Sequence, residues 1–139
     1  MISSKEQIYI VDDDASVCRA LKVLLDTSGF EVRTFSSAEE FFSAIPNSAS
    51  GCLILDINLP GLNGWEAQRH LLKSGSSRPV IVITVDKDDR LAGLALEAGA
   101  VGFLQKPFDD YALIEAVNLS LKSEVGTNKI NEVVSFISK

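Results

Sequence analysis

The residues with chemistry to offer are few and far apart in the chain. They are an acidic run, Asp12-Asp13-Asp14, a lone aspartate, Asp56, a threonine, Thr84, and a lysine, Lys106. Each stands at the end of a short apolar run. Asp12 follows Ile8-Tyr9-Ile10-Val11 and Asp56 follows Cys52-Leu53-Ile54-Leu55. Thr84 follows Val80-Ile81-Val82-Ile83, and Lys106 comes just after Val101-Gly102-Phe103-Leu104. Carboxylates packed together repel, and at least one keeps its proton unless a cation compensates. Mg²⁺ suits that task, because it takes oxygen ligands, few of them carboxylates, and retains several waters. A lysine with a hydroxyl beside it forms a cradle for anionic oxygens. Phosphoryl transfer needs this set, being mostly positioning and charge neutralisation. A carboxylate nucleophile would give an aspartyl phosphate. Singly, each piece has a plainer reading. The acidic run reads as a helix N-cap, Asp56 as a turn residue before Leu59-Pro60-Gly61, Thr84 as a strand end and Lys106 as a surface lysine.

What decides between these readings is the scaffold. A fifth run, Val32-Arg33-Thr34-Phe35, joins the other four, and helix-like segments alternate with them. Three runs are apolar at nearly every position, as strands are when helices cover both faces of a parallel sheet. Val17, Leu21, Leu24 and Leu25 repeat at helical spacing, as do Leu91, Leu94, Ala95 and Ala98, and Ile114, Val117 and Leu121. Gly29 and Gly99 sit where helices end, and Ser37-Ala38-Glu39-Glu40 reads as a capping box. The alternation predicts an α/β fold with a doubly wound, five-stranded parallel sheet, flavodoxin-like order 2-1-3-4-5, and helices on both faces. Asp12, Asp13, Asp14, Asp56, Thr84 and Lys106 then lie on the carboxyl edge of the sheet. The strand order reverses between strands 1 and 3, which brings Asp12, Asp13 and Asp56 side by side.

The chain resembles the receiver domain of two-component response regulators over about residues 6–122. The carrying residues are Val11-Asp12-Asp13-Asp14, Leu55-Asp56-Ile57-Asn58-Leu59-Pro60-Gly61, Gly64, Ile83-Thr84 and Gln105-Lys106-Pro107-Phe108. Ser37-Ala38-Glu39 and Ala98-Gly99-Ala100 bring it nearest to the nitrogen-fixation-type regulators. The resemblance implies that Asp56 is the phosphoacceptor. It implies that Mg²⁺ (or Mn²⁺) is held by Asp12, Asp13, Asp56 and the backbone carbonyl of Asn58, and that Thr84 and Lys106 bind phosphoryl oxygens. Thr84 and Phe103 would act as the switch, and Lys106-Pro107 would be a cis peptide. A sensor histidine kinase or phosphotransfer protein would supply the phosphoryl group. Output, to an effector or a second copy, would use the face of helix 4, strand 5 and helix 5. Such a domain catalyses only its own phosphorylation and dephosphorylation. One departure stands out: Val85 follows Thr84, where the family usually has Ala or Gly.

Composition narrows the alternatives. The 139 residues are 46% hydrophobic and 23% charged, with a formal net charge of −6. Lys and Arg are scattered, so direct nucleic-acid binding is not expected. No apolar run nears the ~18 residues of a membrane span, and no signal peptide is evident, which points to the cytosol. Cys18 and Cys52 read as buried, reduced thiols and His70 as exposed and inert. An enzyme alternative is a haloacid-dehalogenase-type phosphatase using Asp12, which leaves Asp56 idle. A flavin carrier of this fold is disfavoured by carboxylates where the flavin phosphate would lie. A binding-only pseudo-receiver is disfavoured because no site residue is missing. The receiver unit is expected over residues 1–123. Residues 124–139 read as a tail, a linker start, or a short amphipathic helix with Ile130, Val133, Val134 and Ile137 on one face.

Overall fold

In the computed structural model, which describes residues 5–122, five strands and five helices alternate along the chain. They are β1 (Gln7–Val11), α1 (Ala15–Thr27), β2 (Glu31–Phe35), α2 (Ala38–Ala44), β3 (Cys52–Asp56), α3 (Gly64–Ser74), β4 (Val80–Thr84), α4 (Leu91–Glu97), β5 (Gly102–Gln105) and α5 (Asp110–Lys122). The sheet is parallel in the order β2-β1-β3-β4-β5, as the sequence pattern predicts. The boundary placed at residue 123 and the Ile130–Ile137 stripe lie outside the described residues.

Strand alternation divides the core between the two faces. Ile8, Ile10, Cys52, Ile54, Ile81 and Ile83 meet Leu21, Leu25, Leu113 and Val117 of α1 and α5. Tyr9, Val11, Leu53, Leu55 and Val82 meet Phe41, Ala67, Leu71 and Ala95 of α2, α3 and α4. Every residue of β3 and β4 is buried, which is why those runs carry no polar alternation. Among the described residues, no helix is long and apolar enough to cross a membrane.

Two local expectations need correction. Ser37 does cap α2, accepting from the Glu40 amide, but Glu40 reaches back to the Ser36 amide (2.7 Å) and hydroxyl instead of closing a box on Ser37. The reciprocal box occurs at α3, between Asn63 and Glu66, each accepting from the other's amide at 3.0 Å. On α4, Leu94 is 47% exposed, so the buried stripe of that seven-residue helix narrows to Ala95.

At the amino edge of the sheet, opposite the strand ends that carry the acidic residues, Arg78 is buried with no carboxylate partner among the described residues. Its Nη2 donates to the carbonyls of Pro46 (2.7 Å) and Ala49 (3.0 Å), and its guanidinium lies over the rings of Phe41 and Tyr9. Burial holds its pKa below the ordinary arginine value. Arg78 thus ties the α2–β3 loop to the start of β4. Arg78→Ala is expected to lower unfolding stability by about 2–4 kcal/mol in urea titrations, through two charge-assisted hydrogen bonds and the ring contacts. A loss within experimental scatter would contradict this.

Candidate functional site

Strand register levels the site residues. Val11 pairs with Leu55, Asp56 with Ile83, and Thr84 with Gln105. The ladder continues one step past the strands: the Asp12 amide donates to Phe35 O (3.1 Å) and the Lys106 amide to Thr84 O (2.6 Å). Asp12 and Asp56 therefore stand level on the carboxyl edge, with Thr84 one residue and Lys106 two residues further along their strands. The Lys106-Pro107 peptide is cis.

The acidic run splits into three roles. Asp14 is exposed and caps α1, accepting from the amides of Ser16 (2.9 Å) and Val17 (3.3 Å). The N-cap reading thus holds for Asp14 alone. Asp12 is 1% exposed; one carboxylate oxygen accepts from the Asp14 amide (2.9 Å) and the other from Lys106 Nζ (2.7 Å). Asp13 is exposed to solvent. A carboxylate oxygen from each of Asp12, Asp13 and Asp56 falls within 4.8 Å of the others.

Asp56 is buried, with one oxygen accepting from the Asn58 amide (3.1 Å) and the other 3.6 Å from Lys106 Nζ. Burial pushes its carboxyl above the ordinary aspartate range; the Asn58 amide and Lys106 oppose the rise, and the Asp12 charge adds to it. For Lys106, burial pulls downward, but the hydrogen bond to Asp12 and the charges of Asp12 and Asp56 outweigh it, and the ammonium is held above its ordinary value. One lysine facing three clustered carboxylates leaves an excess of negative charge. An all-oxygen donor set with one member open to water fits a hard divalent cation that keeps part of its hydration shell.

Thr84 is fully buried, and its hydroxyl oxygen accepts from Asn58 Nδ2 (3.3 Å) and the Asp86 amide (3.1 Å). The Asn58 side-chain contact was not foreseen from sequence, where only its carbonyl is assigned a part. Gln105 Nε2 donates to Asp86 O at 2.7 Å, fastening the β4–α4 loop to β5. Phe103 is half-buried against the core under α2, α3 and α4. Val85 is 60% exposed and, with Val17, Leu21, Lys106 and Phe108, lines a cleft of about 460 Å³ between α1 and the β5–α5 turn.

Cys18 and Cys52 are free and buried, as expected. The Cys18 thiol donates to Asp12 O at 3.3 Å, and burial pushes the Cys52 thiol up to about 12. His70 is exposed, with its ring packed on Phe42 at 4.4 Å between centroids.

The response regulator receiver domain model matches residues 8–118. The transcriptional regulatory protein FixJ of Bradyrhizobium diazoefficiens is 34% identical over 137 residues, covering 99% of this chain and 67% of that protein. The response regulator protein TodT of Pseudomonas putida is 43% identical over 115 residues, covering 83% of this chain and 51% of that protein. Among solved structures, full-length FixJ from B. japonicum aligns with a TM-score of 0.81 at 35% identity, covering 91% of this chain and 63% of that one. This chain thus spans about half to two thirds of the length of these relatives. With most of its length matched by one family model and its sheet built in the predicted order, the chain belongs to the response regulator receiver domain family.

Proposed function

We propose that in this phosphorylation-dependent two-component switch Asp56 is the residue that accepts the phosphoryl group. The observation that supports this most is the seat of Asp56: buried at the end of β3, level with Asp12, and 3.6 Å from the Lys106 ammonium. A carboxylate oxygen of Asp56 attacks phosphorus, the bond from phosphorus to the donor breaks, and the donor leaves with that electron pair. The donor is a sensor histidine kinase or a phosphotransfer protein. Lys106 holds one phosphoryl oxygen and, by leaving Asp12 free to bind elsewhere, shares out charge in the loaded site. Asp12, Asp13, Asp56 and the Asn58 carbonyl would hold Mg²⁺ or Mn²⁺, which when bound neutralises phosphoryl charge. Beyond its own phosphorylation and dephosphorylation the domain needs no further activity, and it would work in the cytosol.

The phosphatase reading gives the nucleophile's part to Asp12. That reading leaves Asp56, buried beside Lys106 at the end of β3, without a role.

For the output, Thr84 turns its hydroxyl to a phosphoryl oxygen. That requires release from Asn58 Nδ2 and draws the β4–α4 loop with it. Phe103 then turns inward on the neighbouring strand. The face of α4, β5 and α5 carries the signal to a downstream effector or a second copy; exposed Leu94 and Tyr111 stand on α4 and α5. This chain makes no direct contact with nucleic acid or membrane in this reading. Val85 narrows the way in from the α1 side. The test is amide NMR before and after treatment with a small phosphodonor and Mg²⁺. Shifts are expected through residues 86–112, and shifts confined to the 56–63 loop would contradict the switch.

A further inference from the structure

The loop that follows Asp56 is clamped at two points, and one clamp comes from a different part of the chain. Near its base, Gly64 N donates to Ile57 O (2.9 Å), and a Cβ at Gly64 would lie 2.5 Å from Ile57 Cα and 2.7 Å from Asp56 O. No side chain fits there, so the loop closes tightly on the residue after Asp56. At its tip, the Glu39 carboxylate, in the first turn of α2, accepts from the Leu62 amide at 3.0 Å, bridging 23 positions. The approach is close enough that a Cβ on Gly61, whose φ is +69°, would meet the same Glu39 oxygen at 2.8 Å. The start of α2 is itself fixed beside the acidic pair. The Ser36 amide and hydroxyl donate to Glu40, and Phe35 O receives the Asp12 amide.

We propose that Glu39 is a positioning residue for the phosphoacceptor loop: it fixes residues 57–63 against the α2 N-terminus and so sets where Asp56 and Asn58 stand relative to Asp12 and Asp13. Glu39 is exposed, so its carboxylate does little for the core. A single exposed hydrogen bond contributes little to stability. Geometry is where it counts, because small misplacements of reacting groups are costly in rate. The inference rests on Asp56 being the acceptor, and the experiment separates the two claims.

The experiment measures the initial rate of mass gain with a small phosphodonor and Mg²⁺, together with the Leu62 amide resonance and melting temperature. It is run on the unsubstituted protein, Glu39→Ala and Glu39→Gln. Gln keeps an oxygen that can accept from Leu62; Ala does not. Glu39→Ala is expected to slow labelling about 5- to 10-fold, shift Leu62 and speed its hydrogen exchange, with little change in melting temperature. Glu39→Gln is expected to recover most of the rate and the Leu62 position. If the unsubstituted protein labels at Asp56 and Glu39→Ala labels equally fast, the positioning role is overturned while the acceptor assignment stands. If Glu39→Gln is as slow as Glu39→Ala, the carboxylate acts through its charge and the positioning role is again overturned. If the unsubstituted protein is not labelled at Asp56, the acceptor assignment itself fails.

Discussion

Asp56→Asn is expected to abolish phosphoryl acceptance and, in metal-free buffer, to raise the melting temperature. The first effect follows from loss of the attacking carboxylate oxygen, and the second from electrostatics. Burial and the neighbouring Asp12 charge push the Asp56 carboxyl above its ordinary range, so the folded state holds the ionised form less favourably than the unfolded chain does. An acid raised in the folded state weakens folding as pH climbs from its unfolded value through its folded value, and the full penalty is present above both. At neutral pH that penalty is in force, and an uncharged isostere removes it. Lys106 has the opposite linkage: raised in the folded state, it contributes stability that is complete below the ordinary lysine value and is lost only as pH rises through the folded one. Scanning calorimetry in chelator should therefore show Asp56→Asn melting higher than the unsubstituted protein near pH 7. The gap should close as pH falls below the carboxylate range. A variant that melts lower at pH 7 would show that the Asp56 charge is compensated by Lys106.

Asp13→Ala is expected to weaken Mg²⁺ binding by about tenfold or more in titration calorimetry, the scale of losing one charged ligand from a small oxygen set. Asp13 is the member of the cluster that is open to solvent, so its loss disturbs the fold least. Mg²⁺ should also raise the melting temperature of the unsubstituted protein, since a ligand that binds only the folded state stabilises it by mass action. That rise should shrink in Asp13→Ala. Unchanged affinity would remove Asp13 from the metal site.

The strands and the residues at their ends were legible because strands buried on both faces write continuous apolar runs and parallel topology puts their ends on one edge, while the order itself rested on the flavodoxin-like doubly wound pattern. Ile8–Val11, Cys52–Leu55 and Val80–Ile83 carry that signal without help from their neighbours. What stayed hidden depends on side-chain reach. Asp12, Asp13 and Asp14 are one run in the sequence, yet backbone direction buries the first, exposes the second and spends the third on capping α1. Nothing in the spacing of Ser37 and Glu40 tells that the glutamate prefers Ser36. Leu94 fits a helical stripe that α4, at seven residues, is too short to bury. The contacts of Asn58 with Thr84 and of Glu39 with Leu62 span 26 and 23 positions, beyond any local pattern.

Phosphoryl acceptance at Asp56 is tested most directly by treating the unsubstituted protein with a small phosphodonor and Mg²⁺, measuring its intact mass, and mapping the modified residue by peptide sequencing in the mass spectrometer. One added phosphoryl group of ~80 Da is expected, dependent on Mg²⁺ and carried by Asp56. A phosphoryl group on Asp12, or full labelling in chelator, would contradict it.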